Sequence, residues 1–288
     1  MTITLENYLI QQLAPPTAKS YLFTIEHFIK TNPNSIKYTY REIISYMEQI
    51  TQRQSNPQYR IRILAAIKQY YNFLIFSNQR NNHPCRGLTI KSIGNHAIQI
   101  QDLFTTQELE LLLHRENRYA VLELRNRILI ELLIYQGLTS DEIERLTIND
   151  INLDNGTIYI KASKKLNRRI LKLLDTQVEH LYNYMNDVRP TIVQYKNNSL
   201  LLSNKGNSMT VDGIHAVIEA LKPLFPDRKL NPRTIRMSVI SNWLNEKKLT
   251  LEQTQELSGH KWPGTTEKYF SADSENERKI INHYFPSI

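Results

Sequence analysis

Between Pro57 and Ser77, the residues Ile61, Leu64, Ile67, Tyr71 and Leu74 recur every three or four positions. A helix built on them carries one continuous apolar face, which is stable in water only if other elements cover it. Three shorter stretches of similar periodicity, residues 4–13, 17–31 and 40–52, precede it. They are separated by Pro15-Pro16, by Asn32-Pro33-Asn34 and by the polar stretch Gln52 to Pro57. These four segments predict a compact helical module, with Arg60, Arg62 and Lys68 largely off the apolar face of the fourth. With only 8 glycines in 288 residues, a glycine-rich all-β design is disfavoured.

From Asn78 to about Asp102 the periodicity fails in a polar run, NQRNNHPCRGL, and a weakly patterned stretch containing Gly94 and Asn95. The expected organisation is therefore a helical domain over 1–87, a linker over 88–102 and a second domain over 103–288. Helical pattern resumes at Thr105 or Thr106 and runs into Leu109, Leu112 and Leu113. Leu124 to Gln136 is strongly apolar and ends at Gly137. A further helix starts near Ser140, with Asp141 and Glu142 in its first turn. Residues 156–161 and 168–173 read as two strands around a lysine-rich turn, the one β element expected. Helices follow at about 176–187, 211–223, 233–246, 250–258 and 274–284. The predicted class is mainly α with a small β-hairpin.

The formal charge of +8 is concentrated at one end. Residues 1–100 hold eleven Lys or Arg against four Asp or Glu, a net +7 that points to a polyanionic partner for the helical module. Lys19, Arg60, Arg62 and Lys68 are its candidate contacts. The single cysteine, Cys85, cannot pair internally and lacks the neighbours of a zinc site. With no signal-like start and no apolar run of about 20 residues, the expectation is a cytoplasmic protein without membrane association.

Residues 230–270 carry the chemistry: LNPRTIRMSVISNWLNEKKLTLEQTQELSGHKWPGTTEKYF. Here Pro232, Arg233 and Arg236 open an apolar helix, and Leu257-Ser258-Gly259-His260 is followed nine residues later by Tyr269. This resembles the C-terminal signature of the tyrosine recombinase (phage integrase) family. Upstream, Tyr135 to Leu146 is similar to the family's Gly-Leu-Arg box, the 156–173 hairpin to its lysine hairpin, and the N-terminal helices to its core-binding (SAM-like) domain.

The resemblance implies metal-independent, cofactor-free cutting and rejoining of double-stranded DNA through a 3′-phosphotyrosyl bond. Tyr269 would attack phosphorus, since a covalent intermediate stores the broken bond. Arg236 would offer its planar fork to the phosphate oxygens. His260 would hydrogen-bond the phosphate or move the tyrosine proton. Lys164 would protonate the leaving 5′ oxygen, with Lys165 and Lys161 as competitors. The resemblance also implies a homo-oligomer, a tetramer when two sites synapse through a Holliday junction, with a C-terminal tail docking on a neighbour or packing in cis. DNA-bending or directionality proteins are possible accessories, the protein being nucleoid-associated when bound, and integration or excision of a mobile element is the preferred setting.

Two positions depart from the pattern. The Gly-Leu-Arg box reads Gly137-Leu138-Thr139, and the His-x-x-Arg helix start reads Arg233-x-x-Arg236. Losing a phosphate-binding cation costs roughly 3 kcal/mol of transition-state stabilisation unless another replaces it. Arg233 is the favoured substitute, with Arg145 and Arg127 less favoured. Two other readings stand beside recombination: a degenerate relative that binds sites without cleavage, and a type IB topoisomerase. The separate basic helical domain favours the recombinase over the topoisomerase.

Overall fold

The computed structural model describes residues 3–53, 56–90, 103–114, 120–193 and 196–269. The chain divides into two compact units, residues 1–96 and 97–288.

The first unit is built from α1 (Leu5–Gln12), α2 (Pro15–Thr31), α3 (Tyr40–Arg53) and α4 (Pro57–Phe76). Its breaks follow from local chemistry. Thr4 caps α1, prolines occupy the first turn of α2, and Asn56 caps α4 ahead of Pro57. Leu64, Ile67, Tyr71 and Leu74 are buried as the periodicity requires, against Ile25, Phe28 and Ile43. The Tyr71 hydroxyl donates to the Ser35 carbonyl at 2.8 Å, satisfying a polar atom inside this core. Leu88 and Ile90 also pack on it, so the chain that was expected to be linker begins by covering the first unit.

The second unit wraps helices around α6 (Ala120–Ile134), preceded by α5 (Thr106–Glu110). Thr105 is the cap of α5, in a reciprocal box with Glu108. A three-stranded antiparallel sheet follows α7 (Ser140–Glu144): β1 (Ile151–Asn152), β2 (Thr157–Ile160) and β3 (Arg169–Lys172). The expected hairpin is present, with Ile158 opposite Leu171. The additional strand β1 is only two residues long, too short to show alternation. Next come α8 (Asp175–Asn183), a π turn, α9 (Arg189–Ile192), α10 (Val211–Glu219), α11 (Pro232–Asn245) and α12 (Leu251–Ser258). Helical backbone resumes at 263–269. The helix expected at 274–284 lies outside the described residues. Among those described, no helix is long and apolar enough to cross a membrane.

Candidate active site

Helix α11 is the centre of the site because it is buried on nearly every side, its Ile235, Val239 and Ile240 lying in the core. Asn231 caps it and Pro232 fixes its first turn. One turn in, Arg236 is carried into the interior, only 7% exposed. Its guanidinium donates to the carbonyls of Gly137 and of Ser258, the latter at 2.6 Å, and so joins the end of α6 to the end of α12. Those bonds use two of its five N–H donors.

Helix α12 ends on Gly259, whose φ of +72° is left-handed. This turn delivers His260, which is 6% exposed, with Nδ1 2.9 Å from the Thr266 hydroxyl. The lysine hairpin is stitched to the same turn. Asn167 N–H donates to the Gly259 carbonyl at 2.8 Å, and Leu166 forms a bridge with His260. Burial, and then the positive charges of Arg236 and Arg169, push the imidazole pKa down to about 4. His260 is therefore neutral near pH 7 and acts there as a hydrogen-bonding group, leaving the positive charge of the site to arginine and lysine.

The Tyr269 ring stacks on that imidazole, with centroids 6.2 Å apart and planes 17° from parallel. Burial raises the phenol pKa, while Arg236 and Arg233 pull it back. Arg233 is exposed on the first turn of α11. An open cavity of about 610 Å³ lies beside this cluster, walled by Arg236 and His260, by Lys164 and Lys165 of the hairpin, and by Thr139 and Arg145 of the α7 region. Neither Tyr269 nor Arg233 is among its lining residues. Arg233 and Arg236, expected to share one phosphate site, thus divide between the tyrosine side and the cavity. Lys161 is bound to Asp150 at 2.8 Å and is also absent from the lining. Of the three lysines in competition, Lys164 and Lys165 line the cavity.

Two residues of the site escaped the sequence reading. Glu142, third residue of α7, is buried and accepts from the Thr139 backbone N–H at 2.9 Å, while the Thr139 hydroxyl caps the helix. Threonine at this position therefore makes a complete capping box. The other Glu142 oxygen pairs with Arg169 Nη1 at 2.6 Å, both side chains being almost wholly buried. Burial pushes the Glu142 carboxyl up, but the Arg169 hydrogen bond and charge, with the Thr139 N–H and Arg236, together outweigh it and leave the pKa low. A signal for Arg169 was available: alternation from Leu171 and Leu173 turns it inward and leaves Ile170 exposed.

In the helical unit, Lys19 and Arg62 are exposed. Arg60 donates to the Thr51 hydroxyl at 3.0 Å, and Lys68 to the Arg86 carbonyl at 2.9 Å. Arg62 lies over the Tyr59 ring at 5.3 Å, an exposed contact that leaves its N–H donors available. Among the described residues no group of three or more His, Cys, Asp or Glu is placed to hold a metal ion.

A family model described as the Phage integrase family matches residues 102–276. The tyrosine recombinase XerD of Listeria monocytogenes serovar 1/2a is 23% identical over 285 residues, covering 95% of this chain and 94% of that protein. XerD of Staphylococcus epidermidis strain RP62A is 27% identical over 231 residues, covering 78% and 75%. Among solved structures, the XerH site-specific recombinase in a post-cleavage complex with palindromic difH substrate superposes with a TM-score of 0.70. It shares 21% identity and covers 92% of this chain and 78% of that one. The Tn1549 transposon integrase with circular-intermediate DNA gives a TM-score of 0.65 at 14% identity, over 96% and 99%.

Proposed function

The chain belongs to the phage integrase family of tyrosine recombinases, enzymes of site-specific DNA recombination, and from that premise we propose that it cleaves and rejoins DNA through Tyr269. The observation that carries this reading is the stack of Tyr269 on a neutral His260, beside a cavity walled by Arg236 and Lys164. Each step has a group suited to it. With Nδ1 held by Thr266, His260 keeps Nε2 for the phenolic proton or a phosphate oxygen. Arg236, fixed by two carbonyls, offers its remaining donors to the non-bridging oxygens at no cost in reorganisation. Tyr269 oxygen bonds to phosphorus as the bond to the 5′ oxygen breaks, and Lys164 supplies the proton that oxygen needs. Arg233 favours the phenolate by its charge alone.

Tyr269 stacks on His260, a wall of the cavity, which sets the phenol next to the space we assign to the phosphate. We take the working assembly to be a tetramer on two duplex sites, aided by DNA-bending or directionality proteins, and the setting to be integration or excision of a mobile element. Lys19 and Arg62 serve as phosphate contacts of the helical unit, giving a salt-dependent share of affinity.

The test is covalent capture. Full-length protein is incubated with a random duplex library nicked to trap cleavage, and adducts are recovered on denaturing gels. Wild type yields a DNA–protein adduct and Tyr269→Phe none. An adduct that persists in the Phe variant assigns the nucleophile elsewhere. Sequence-selective binding with no adduct from wild type establishes the binding-only reading instead.

A further inference from the structure

We propose that Arg145 is the second phosphate-binding guanidinium of this site, a role that rests on strand cleavage as proposed above. His260 is neutral at working pH, so the cavity needs its cations from other residues, and among the described residues Arg236 is the one deeply buried cation on its wall. Transfer of a phosphoryl group spreads negative charge over two non-bridging oxygens. One fork with two of its donors already committed to carbonyls leaves part of that charge unmatched. Lys164 and Lys165 approach from the hairpin and Lys261 from the turn after His260, but an ammonium cannot supply a planar fork. On the wall formed by the α7 region stands Arg145.

Its orientation is set by the fold. Helix α7 is five residues long and Arg145 is its C-terminal cap, exposed and beside the cavity. Arg145 Nε donates to the Asp141 carbonyl at 2.9 Å, which turns the side chain back toward the start of the helix, where Thr139 lines the same cavity. No carboxylate pairs with its Nη groups among the described residues, although Asp141 also lines the cavity. Thr139 stands where the family box has arginine and is occupied in capping α7. An arginine six residues on, folded back by one hydrogen bond, puts a guanidinium on the wall that position 139 leaves uncharged. Arg169 does not take this part: it is paired with buried Glu142 and is absent from the lining. Arg233 lies outside the cavity and acts on Tyr269.

The experiment compares Arg145→Ala, Arg145→Lys and Arg145→Ala with Thr139→Arg, in single-turnover cleavage of a nicked duplex captured by wild type and in equilibrium binding to the same duplex. Arg145→Ala is expected to cleave about 100-fold more slowly. Its binding should weaken by no more than about threefold, the share of one phosphate contact among many. Lysine restores only part of the rate, lacking the fork. The double variant restores most of it, because the cation returns from position 139. Cleavage by Arg145→Ala within about twofold of wild type overturns the assignment, as does a loss of binding that accounts for the whole loss of rate, when judged against a ~100-fold expectation. Failure of wild type itself to capture DNA overturns strand cleavage, and this assignment with it.

Discussion

The Arg169 guanidinium passes so close under Gly259 that a Cβ at residue 259 would lie 2.5 Å from Nη1 and 3.1 Å from the carbonyl oxygen of Asn167. The Gly-His pair is therefore fixed by two separate demands. Residue 259 must turn left-handed to end α12, and it must be bare to let a buried arginine through. Gly259→Ala should destabilise the second unit by about 2 kcal/mol or more, since strained φ and overpacking act together. It should also displace His260, the next residue. Thermal melting and single-turnover cleavage check this, and a variant that melts and cleaves like wild type would contradict it.

Arg169 and Glu142 form an almost fully buried ion pair joining β3 to α7. Removing Arg169 leaves the buried Glu142 carboxylate with only a longer ion pair to Arg236, at 3.8 Å, and its bonds from Thr139. Arg169→Met should cost about 3–5 kcal/mol, whereas Arg169→Met combined with Glu142→Gln should recover much of it. Nε and Nη2 of Arg169 are buried with no partner among the described residues, so the pair contributes less than its short contact suggests. Denaturant unfolding of the single and double variants measures the coupling. Strict additivity would show that the two charges do not depend on each other.

The helical frame was readable from the sequence because it follows from short-range rules: the face of α4, the capped starts of α7 and α12, and prolines at helix starts all act within a few residues. Tyr269, His260 and Arg236 were legible by resemblance, through fixed spacing. Less legible was which charges meet. Arg233 and Arg236 share a helix face at spacing three, yet one is exposed and the other 7% exposed, because α11 is embedded in the core at its first turn. Arg145 reaches the cavity wall because α7 stops after five residues and its Nε turns back to the Asp141 carbonyl, which depends on where the helix ends. The neutrality of His260 comes first from burial and then from the charges of Arg236 and Arg169, which tertiary packing brings together and no local pattern encodes.

The hairpin lysines separate by their partners. Lys161 is engaged by Asp150, while Lys164 and Lys165 face the cavity. Lys161→Ala should change cleavage by less than about threefold, and Lys164→Ala should slow it by about 100-fold or more, the usual range for a lost general acid. Replacing the leaving 5′ oxygen by sulfur removes the need for that proton and should restore the Lys164→Ala rate. Rescue of Lys165→Ala in place of Lys164→Ala would move the acid by one residue.

The depressed pKa of His260 links stability to pH with a definite sign. Above about pH 6.5 the imidazole is neutral in both folded and unfolded chains and makes no difference. As pH falls below that value the unfolded chain takes up a proton that the folded site refuses until about pH 4, so folding loses ground throughout this window. The full shift corresponds to on the order of 3 kcal/mol. Unfolding free energy should therefore drop between pH 6.5 and 4, and His260→Asn should flatten that drop, though its own stability at pH 7 is lower for want of the ring. The same shift has a kinetic consequence. Cleavage by wild type should not titrate near pH 6.5, because the ring that faces Tyr269 is already neutral there. A cleavage profile with a break near 6.5 that disappears in His260→Asn would show that the imidazole carries a proton in the working enzyme.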